Sequence, residues 1–524
     1  MILPSVAAVL MRLMHMLLQG VYSLIYCRRM PNLPPIKNPL LKFTAATLAK
    51  KIRHGELSSE MVVKAYVERI KEVNPLLNAV IEDRFEAAVN DAKVCDEKLK
   101  SGEVTALQLE TERPLYGVPV TIKESCSVEG MSYTGCTVAR RGVKASEDGL
   151  SVGILKNAGA IPLCVTNTPE MCTALHTHNF LFGRTKNPYD RRKTVGGSSG
   201  GEGALIGAGA SILGLGSDFV GSIRIPCHFN GIFGHKPTPG IIPINGHFPM
   251  VDNAMFQKYI VLGPMARYAE DLHLALKVLS STYEKQLRLD EPVDLKTLRV
   301  FYIDNIDSFC GIRATTMETR GAIKDASLHL AQSGAFVEQF PKEWISSLFN
   351  ILMVSIFGED HFPNLCLDLE HPEVKIARKK TAWIEFTKAM FGQSQHTLPL
   401  TFVQLLSDTH AFTSPSEINH YRNIREDLRK KLNDLLKDDG VLICPTYPVP
   451  ASFAEIGLLE FDYCLYAGFA NLMRLPATHV PMRLNAKGLP IGFQVMAGPH
   501  QDRLCLAVAK ELEQEFGGWV PPPS

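Results

Sequence analysis

The chain has 524 residues, 46% hydrophobic and 21% charged, with 55 basic side chains against 54 acidic ones. A net charge of +1 argues against a broad electrostatic surface for nucleic acid or another polyanion. The twelve cysteines form no Cys-x-x-Cys pair and no Cys/His cluster at zinc spacing, so neither a disulfide scaffold nor a metal site is implied. No Asn-x-Ser/Thr sequon occurs, which leans towards a body that never meets the glycosylation machinery.

In chain order, residues 1–29 read as an apolar membrane-anchoring segment. Arg12, His15 and Gln19 share one helical face, continued by Tyr22 and Tyr26. The uninterrupted apolar run is shorter than the roughly 20 residues a spanning helix needs. Two modes stay open: a single-pass anchor, or a helix lying in the membrane surface. No small-x-small cleavage site marks a signal peptide. Arg28 and Arg29 favour a cytoplasmic body, a signal that Arg12 blunts. Residues 30–40 read as a proline-bearing linker, and 41–524 as one large domain.

Ser58 and Ser59 precede an amphipathic helix ending near Asn74 and Pro75. Residues 79–99 read as a second helix. The apolar, β-branched GVPVTIK reads as a strand with Lys123 at its carboxyl end. A helix over 146–158 and a strand in GAIPLCVTN follow. This alternation predicts an α/β fold. Further along, 298–305 reads as a strand, 316–334, 344–357, 379–391 and 419–436 as helices, GVLIC and GLPIGFQVMAG as strands, and 502–516 as a closing helix. Arg378, Lys379 and Lys380 read as a solvated helix end; beside Trp383 and Phe386, contact with a membrane surface is the alternative.

The stretch 194–238 is dense in glycine and serine but interleaved with apolar residues, unlike a flexible linker. It has no phosphate-loop ending in G-K-[ST]. It has no G-x-G-x-x-G, because Phe219 stands at the third position counted from Gly214, and neither Ser198 nor Ser222 sits in G-x-S-x-G. A tightly packed helix–sheet junction would explain the small residues without any chemistry.

GGSSGGEGALIGAG, then GSDFVGSIRIP, and the lysine strand GVPVTIK resemble the amidase signature family. AGAIPLCVTNTPE, GHKPTPG, GPMARYAEDL and GLPIGFQVMAGP extend the resemblance from about residue 40 to the C-terminus. GGEGAL and the apolar N-terminus are similar to the fatty-acid amide hydrolase branch rather than to amidotransferase subunits. The resemblance implies a large mixed β-sheet covered by helices on both faces, and a Ser-Ser-Lys triad. Ser222 would be the nucleophile, Ser198 a bridging serine behind a cis Gly197–Ser198 bond, and Lys123 the base. The chemistry is coherent: a hydroxyl needs a base, and a lysine serves as one only when neutral, as burial away from a carboxylate favours.

The backbone N–H groups of Phe219, Val220, Gly221 and Ser222 would form the oxyanion hole. Val220 stands where the family commonly has glycine; a negative φ there leaves the hole intact, a positive φ does not. Ser199 would support the network by a hydrogen bond, and Asp218 and Arg224 would hold the loops. Glu124 would raise the lysine pKa if it faced the amine, although neighbouring strand residues point oppositely.

The implied substrates are small lipid amides, such as acyl ethanolamides and primary fatty amides. No cofactor, metal or nucleic acid is implied. The resemblance adds a homodimer and an endoplasmic-reticulum or lipid-droplet membrane. The competing functions are an amidase of other small amides or esters, an amidotransferase-type subunit, and a non-catalytic lipid-binding protein.

Overall fold

The computed structural model describes residues 2–28, 30–250, 257–306, 314–358, 365–366, 379–409 and 414–524, and excludes the side chains of 2–12, 379–381 and 415. Arg29 and Arg378 therefore lie outside the described residues, as do the side chains of Arg12, Lys379 and Lys380.

Eleven strands form one mixed sheet. They are β1 (Val80–Asp83), β2 (Pro119–Lys123), β3 (Ile161–Thr166), β6 (Leu213–Asp218), β7 (Phe233–Lys236), β8 (Val261–Ala266), β9 (Arg299–Tyr302), β10 (Phe336–Gln339), β11 (Gly440–Cys444), β12 (Ala477–Leu484) and β13 (Pro490–Ala497). The short pair β4 (His178–Asn179) and β5 (Gly183–Arg184) stands apart. The order is β1-β3-β2-β6-β8-β7-β12-β13-β11-β9-β10. β2 runs parallel to both β3 and β6, and β9 runs parallel to β10 and β11. The other neighbouring strands are antiparallel.

Both faces of the sheet are covered, as the alternation along β11 shows. Val441 and Ile443 enter one hydrophobic core and Leu442 and Cys444 the other. The first core collects the helices Ser59–Leu77, Ala269–Leu279 and Asp502–Phe516; the second collects Pro415–Leu436 and Cys464–Met473. Leu33, inside the proline-bearing stretch, is buried in the first core.

The expected helix over 79–99 is replaced by β1 and the helix Phe85–Lys100. The helix Ser59–Leu77 ends on Asn78, which is left-handed with φ 54°. The Asn74 side chain then accepts the N–H groups of Ala79 and Val80 at 2.7 and 2.9 Å, turning the chain onto the sheet edge. Pro75 lies inside that helix rather than beyond it. The expected helix over 344–357 is a 3-10 turn, an α-helix over Leu348–Met353 and a π-turn over Val354–Gly358.

The first helix spans Ile2–Ile25. No described helix is long and apolar enough to cross a membrane. The polar stripe expected from the sequence turns towards the protein. His15 Nε2 lies 2.9 Å from Glu460 Oε1, Tyr26 donates to Glu455 Oε1 at 2.7 Å, and both tyrosines pack on Phe453. Leu13, Met16, Leu17, Leu24 and Ile25 face outward, 58–76% exposed.

Candidate active site

Parallel strands β2 and β6 lie side by side, and their carboxyl ends carry Lys123 and the pair Ser217–Asp218. A ligand site at such ends is common in α/β sheets. All five residues of β2 are buried, and Lys123 is 0% exposed. Its Nζ lies 2.6 Å from Ser198 Oγ and 2.8 Å from Ser217 Oγ. Glu124 does not face the amine. Its carboxylate accepts from Thr134 N, Thr134 Oγ1, Ser132 Oγ and Gly135 N, and burial pushes it up to about 7.

Ser198 follows a cis Gly197–Ser198 peptide bond and precedes the helix Gly200–Gly207. Two glycines of β6 let this helix lie close to the strand. A Cβ on Gly214 would sit 1.9 Å from Glu202 Oε2, and one on Gly216 would sit 2.9 Å from Ser199 Oγ. Ser199 Oγ donates to Ser217 O at 3.3 Å, and Ser199 N donates to Ser222 O at 3.1 Å. Glu202 is buried beneath the site and accepts from Thr121 Oγ1 at 2.5 Å and Thr166 Oγ1 at 2.8 Å. Burial pushes its carboxyl up to about 7.

The loop after β6 is held by Asp218. Its carboxylate accepts from Gly221 N at 2.7 Å and Ile223 N at 3.1 Å, and pairs with Arg224 at 3.0 Å, both side chains being fully buried. Burial alone would raise Asp218, but Arg224 and Asn471 outweigh it and hold it at about 2. Arg224 also donates to Ala467 O, Gln494 Oε1 and Asn471 Oδ1, tying the loop to the helix Cys464–Met473 and to β13. The positive φ of the loop falls on Gly221, at 108°, and Val220 lies outside that region. The N–H of Gly221 is engaged by Asp218, which narrows the expected oxyanion donors to Phe219, Val220 and Ser222. No described hydrogen bond engages the N–H of Val220 or Ser222.

Ser198, Ser217, Phe219, Val220 and Ser222 line a cavity whose empty space, counting the part open to solvent, is about 1070 Å³. Its walls are mainly apolar: Met171 and Leu175, Ile260, Ile356 and Phe357, Phe402 and Val403, and Leu458 and Phe461. Ser222 is half-buried at its edge. Cys172 and His247 also line it. Burial raises the Cys172 thiol, but Lys123, His247 and a Thr168 hydrogen bond outweigh this and bring it to about 5.

The sequence reading singled out neither Ser217, Glu202, Cys172 nor His247. Ser217 stands one residue before Asp218, in a strand that the sequence reading did not assign. His247 lies in a loop with no motif around it. Among the described residues, no group of three or more His, Cys, Asp or Glu could hold a metal ion.

A lysine paired with one serine under a buried glycine-serine loop, with a second serine at an apolar cavity, is an arrangement suited to acyl transfer. The chain belongs to the amidase signature family: the family described as Amidase matches residues 61–506. It is 41% identical over 505 residues to fatty-acid amide hydrolase 2-B of Danio rerio, covering 94% of this chain and 93% of that protein. It is 39% identical over 492 residues to fatty-acid amide hydrolase 2 of Homo sapiens, covering 93% and 92%. The fold is similar to that of a bacterial aryl acylamidase of the amidase signature family, with a TM-score of 0.72, 20% identity, and coverage of 91% and 97%. The protein is an amide-hydrolysing enzyme.

Proposed function

We propose that the enzyme hydrolyses amides of long-chain fatty acids by a Ser222–Ser198–Lys123 relay. The observation carrying this reading is the buried Lys123 Nζ–Ser198 Oγ contact of 2.6 Å behind an apolar cavity that Ser222 also lines. The names of the fatty-acid amide hydrolases at 39–41% identity support the substrate class.

In this mechanism the neutral Lys123 amine takes the proton of Ser198, which takes that of Ser222. Ser222 Oγ attacks the carbonyl carbon, and the oxyanion is met by N–H groups of Phe219, Val220 and Ser222. The proton returns through Ser198 to the leaving nitrogen as the C–N bond breaks. Water then attacks the acyl-enzyme by the same relay and releases the fatty acid. Asp218 and Arg224 hold the donor loop, and Ser199 braces it against β6.

The helix Ile2–Ile25 is proposed to lie in a membrane surface. Support comes from its docked polar stripe and exposed apolar one. The helix Lys379–Met390, with Trp383, Ile384 and Met390 exposed, is a second contact in the same reading.

A fluorophosphonate probe tests the nucleophile. Wild type is expected to label at Ser222 and Ser222→Ala not to label. Labelling of the alanine variant at any other serine of the cavity would overturn the assignment. Release of fatty acid and amine from oleoyl amides, with no turnover of glutamine, tests the substrate class.

A further inference from the structure

His247 belongs to no part of the relay, yet it is bonded to it. It is 1% exposed and lines the cavity, and its Nε2 lies 2.9 Å from Ser217 Oγ. Ser217 is in turn the second partner of Lys123. The loop bearing His247 is fixed against the segment that follows the lysine. Ser127 N donates to Gly246 O at 2.8 Å, Phe248 N donates to Ser125 O at 2.7 Å, and His247 bridges with Cys126. The backbone that holds Lys123 therefore also holds the imidazole.

The neighbours of the ring set the direction of each bond. Nδ1 faces the carbonyl of Pro249 at 3.4 Å, and a carbonyl only accepts, so Nδ1 carries the hydrogen. Nε2 then has only a lone pair to offer. Ser217 must donate its hydroxyl hydrogen to Nε2, which leaves its own lone pairs to accept from Lys123. One N–H of the amine is thereby directed at Ser217, and the amine lone pair is left to Ser198.

We propose that His247 is a positioning residue for the base, acting through Ser217. Without it, the Ser217 hydroxyl is free to rotate and donate to the lone pair of neutral Lys123. That bond would compete directly with the one by which Ser198 hands over its proton. The imidazole removes the competitor by holding its hydrogen on the far side. This inference rests on Lys123 being the base.

The test is a double-mutant cycle on oleoyl amide hydrolysis. His247→Ala is expected to lower kcat by about 10- to 100-fold with KM changed less than about threefold. His247→Gln, whose side-chain carbonyl can accept the same hydrogen, is expected to recover activity to within about fivefold of wild type. In a Ser217→Ala background, where no hydroxyl is left to misdirect, His247→Ala is expected to cost less than about twofold. An equal loss in both backgrounds overturns the proposal, as does a glutamine variant no better than alanine or a loss confined to KM. Lys123→Met separates the two readings. If it abolishes turnover while the His247 cycle is additive, only the role of His247 falls; if it keeps turnover, the proposed base falls.

Discussion

Gly468 offers a sharp test of how the donor loop is held. It lies in the helix Cys464–Met473, and a Cβ there would sit 2.7 Å from Val220 Cγ1 and 3.4 Å from Leu352 Cδ1. Carbon atoms in contact prefer roughly 3.5–4.0 Å, so Gly468→Ala requires the loop and the helix to part by about 1 Å. Val220 is β-branched and has little freedom to rotate away. Overpacking of this kind costs about 1–3 kcal/mol. If the loop yields, the N–H of Val220 moves off the proposed oxyanion position, and a displacement of about 1 Å can cost on the order of 100-fold in rate. We expect kcat/KM to fall by roughly 10- to 100-fold and the melting temperature to drop by about 1–3 °C. Val220→Ala removes the clashing methyl, so Val220→Ala/Gly468→Ala should recover most of both losses. The assays are steady-state hydrolysis and thermal denaturation of the three variants. Wild-type values for Gly468→Ala, or a double variant no better than the single, would refute the packing argument.

Other outcomes follow from charge and burial. Arg224→Ala leaves the fully buried Asp218 carboxylate without its cation and should destabilise the fold by about 3–5 kcal/mol, read by chemical denaturation. Glu202 has its folded pKa raised by burial from 4.5 to about 7, so its contribution is fully present below about pH 4.5 and is lost as pH rises towards 7. Glu202→Gln should therefore match wild type near pH 4.5 and exceed it at pH 8, by on the order of 1–3 kcal/mol; equal melting temperatures at pH 8 would count against it. Leu17→Lys/Leu24→Lys on the exposed stripe of the first helix should weaken co-sedimentation with phosphatidylcholine vesicles at least tenfold, and unchanged binding would remove that helix from the membrane contact.

Legibility in the sequence followed the chemistry of each residue. Lys123 stood out because it ends an otherwise apolar strand, and that strand formed as expected. The closing helix Asp502–Phe516 had an amphipathic period over its full length and was placed to the residue. β6 was not visible, because LGLGSD has no β-branched residue and its two leucines alternate with glycines, which disfavour a strand. Its glycines answer to Glu202 and Ser199, which fold back onto them from the helix and its N-cap just before the strand. The same blindness hid Ser217 and His247, whose meeting depends on a loop that comes back 30 residues later. Val220 illustrates the reverse case. The sequence identified the position to examine, and only the backbone, with its positive φ on Gly221, answered it. The bond from Gly221 N to Asp218 could not have been anticipated, because it depends on how the loop folds back over the carboxylate.

Most of the cavity walls come from different parts of the chain than the proposed reacting groups. Lys123 and Ser217 stand on adjacent central strands, with Ser198 and Ser222 in the loops bracing them. The walls are supplied by the segments around 171–176, 356–357, 399–403 and 457–464, most of them outside the sheet. Chemistry and selectivity are thus separate inheritances. Under the proposed mechanism, residues such as Phe402 or Phe461 can be exchanged to retune which acyl group fits without disturbing the strands that carry Lys123 and Ser217. A lineage, or an engineer, can change the diet of this enzyme while leaving its teeth alone.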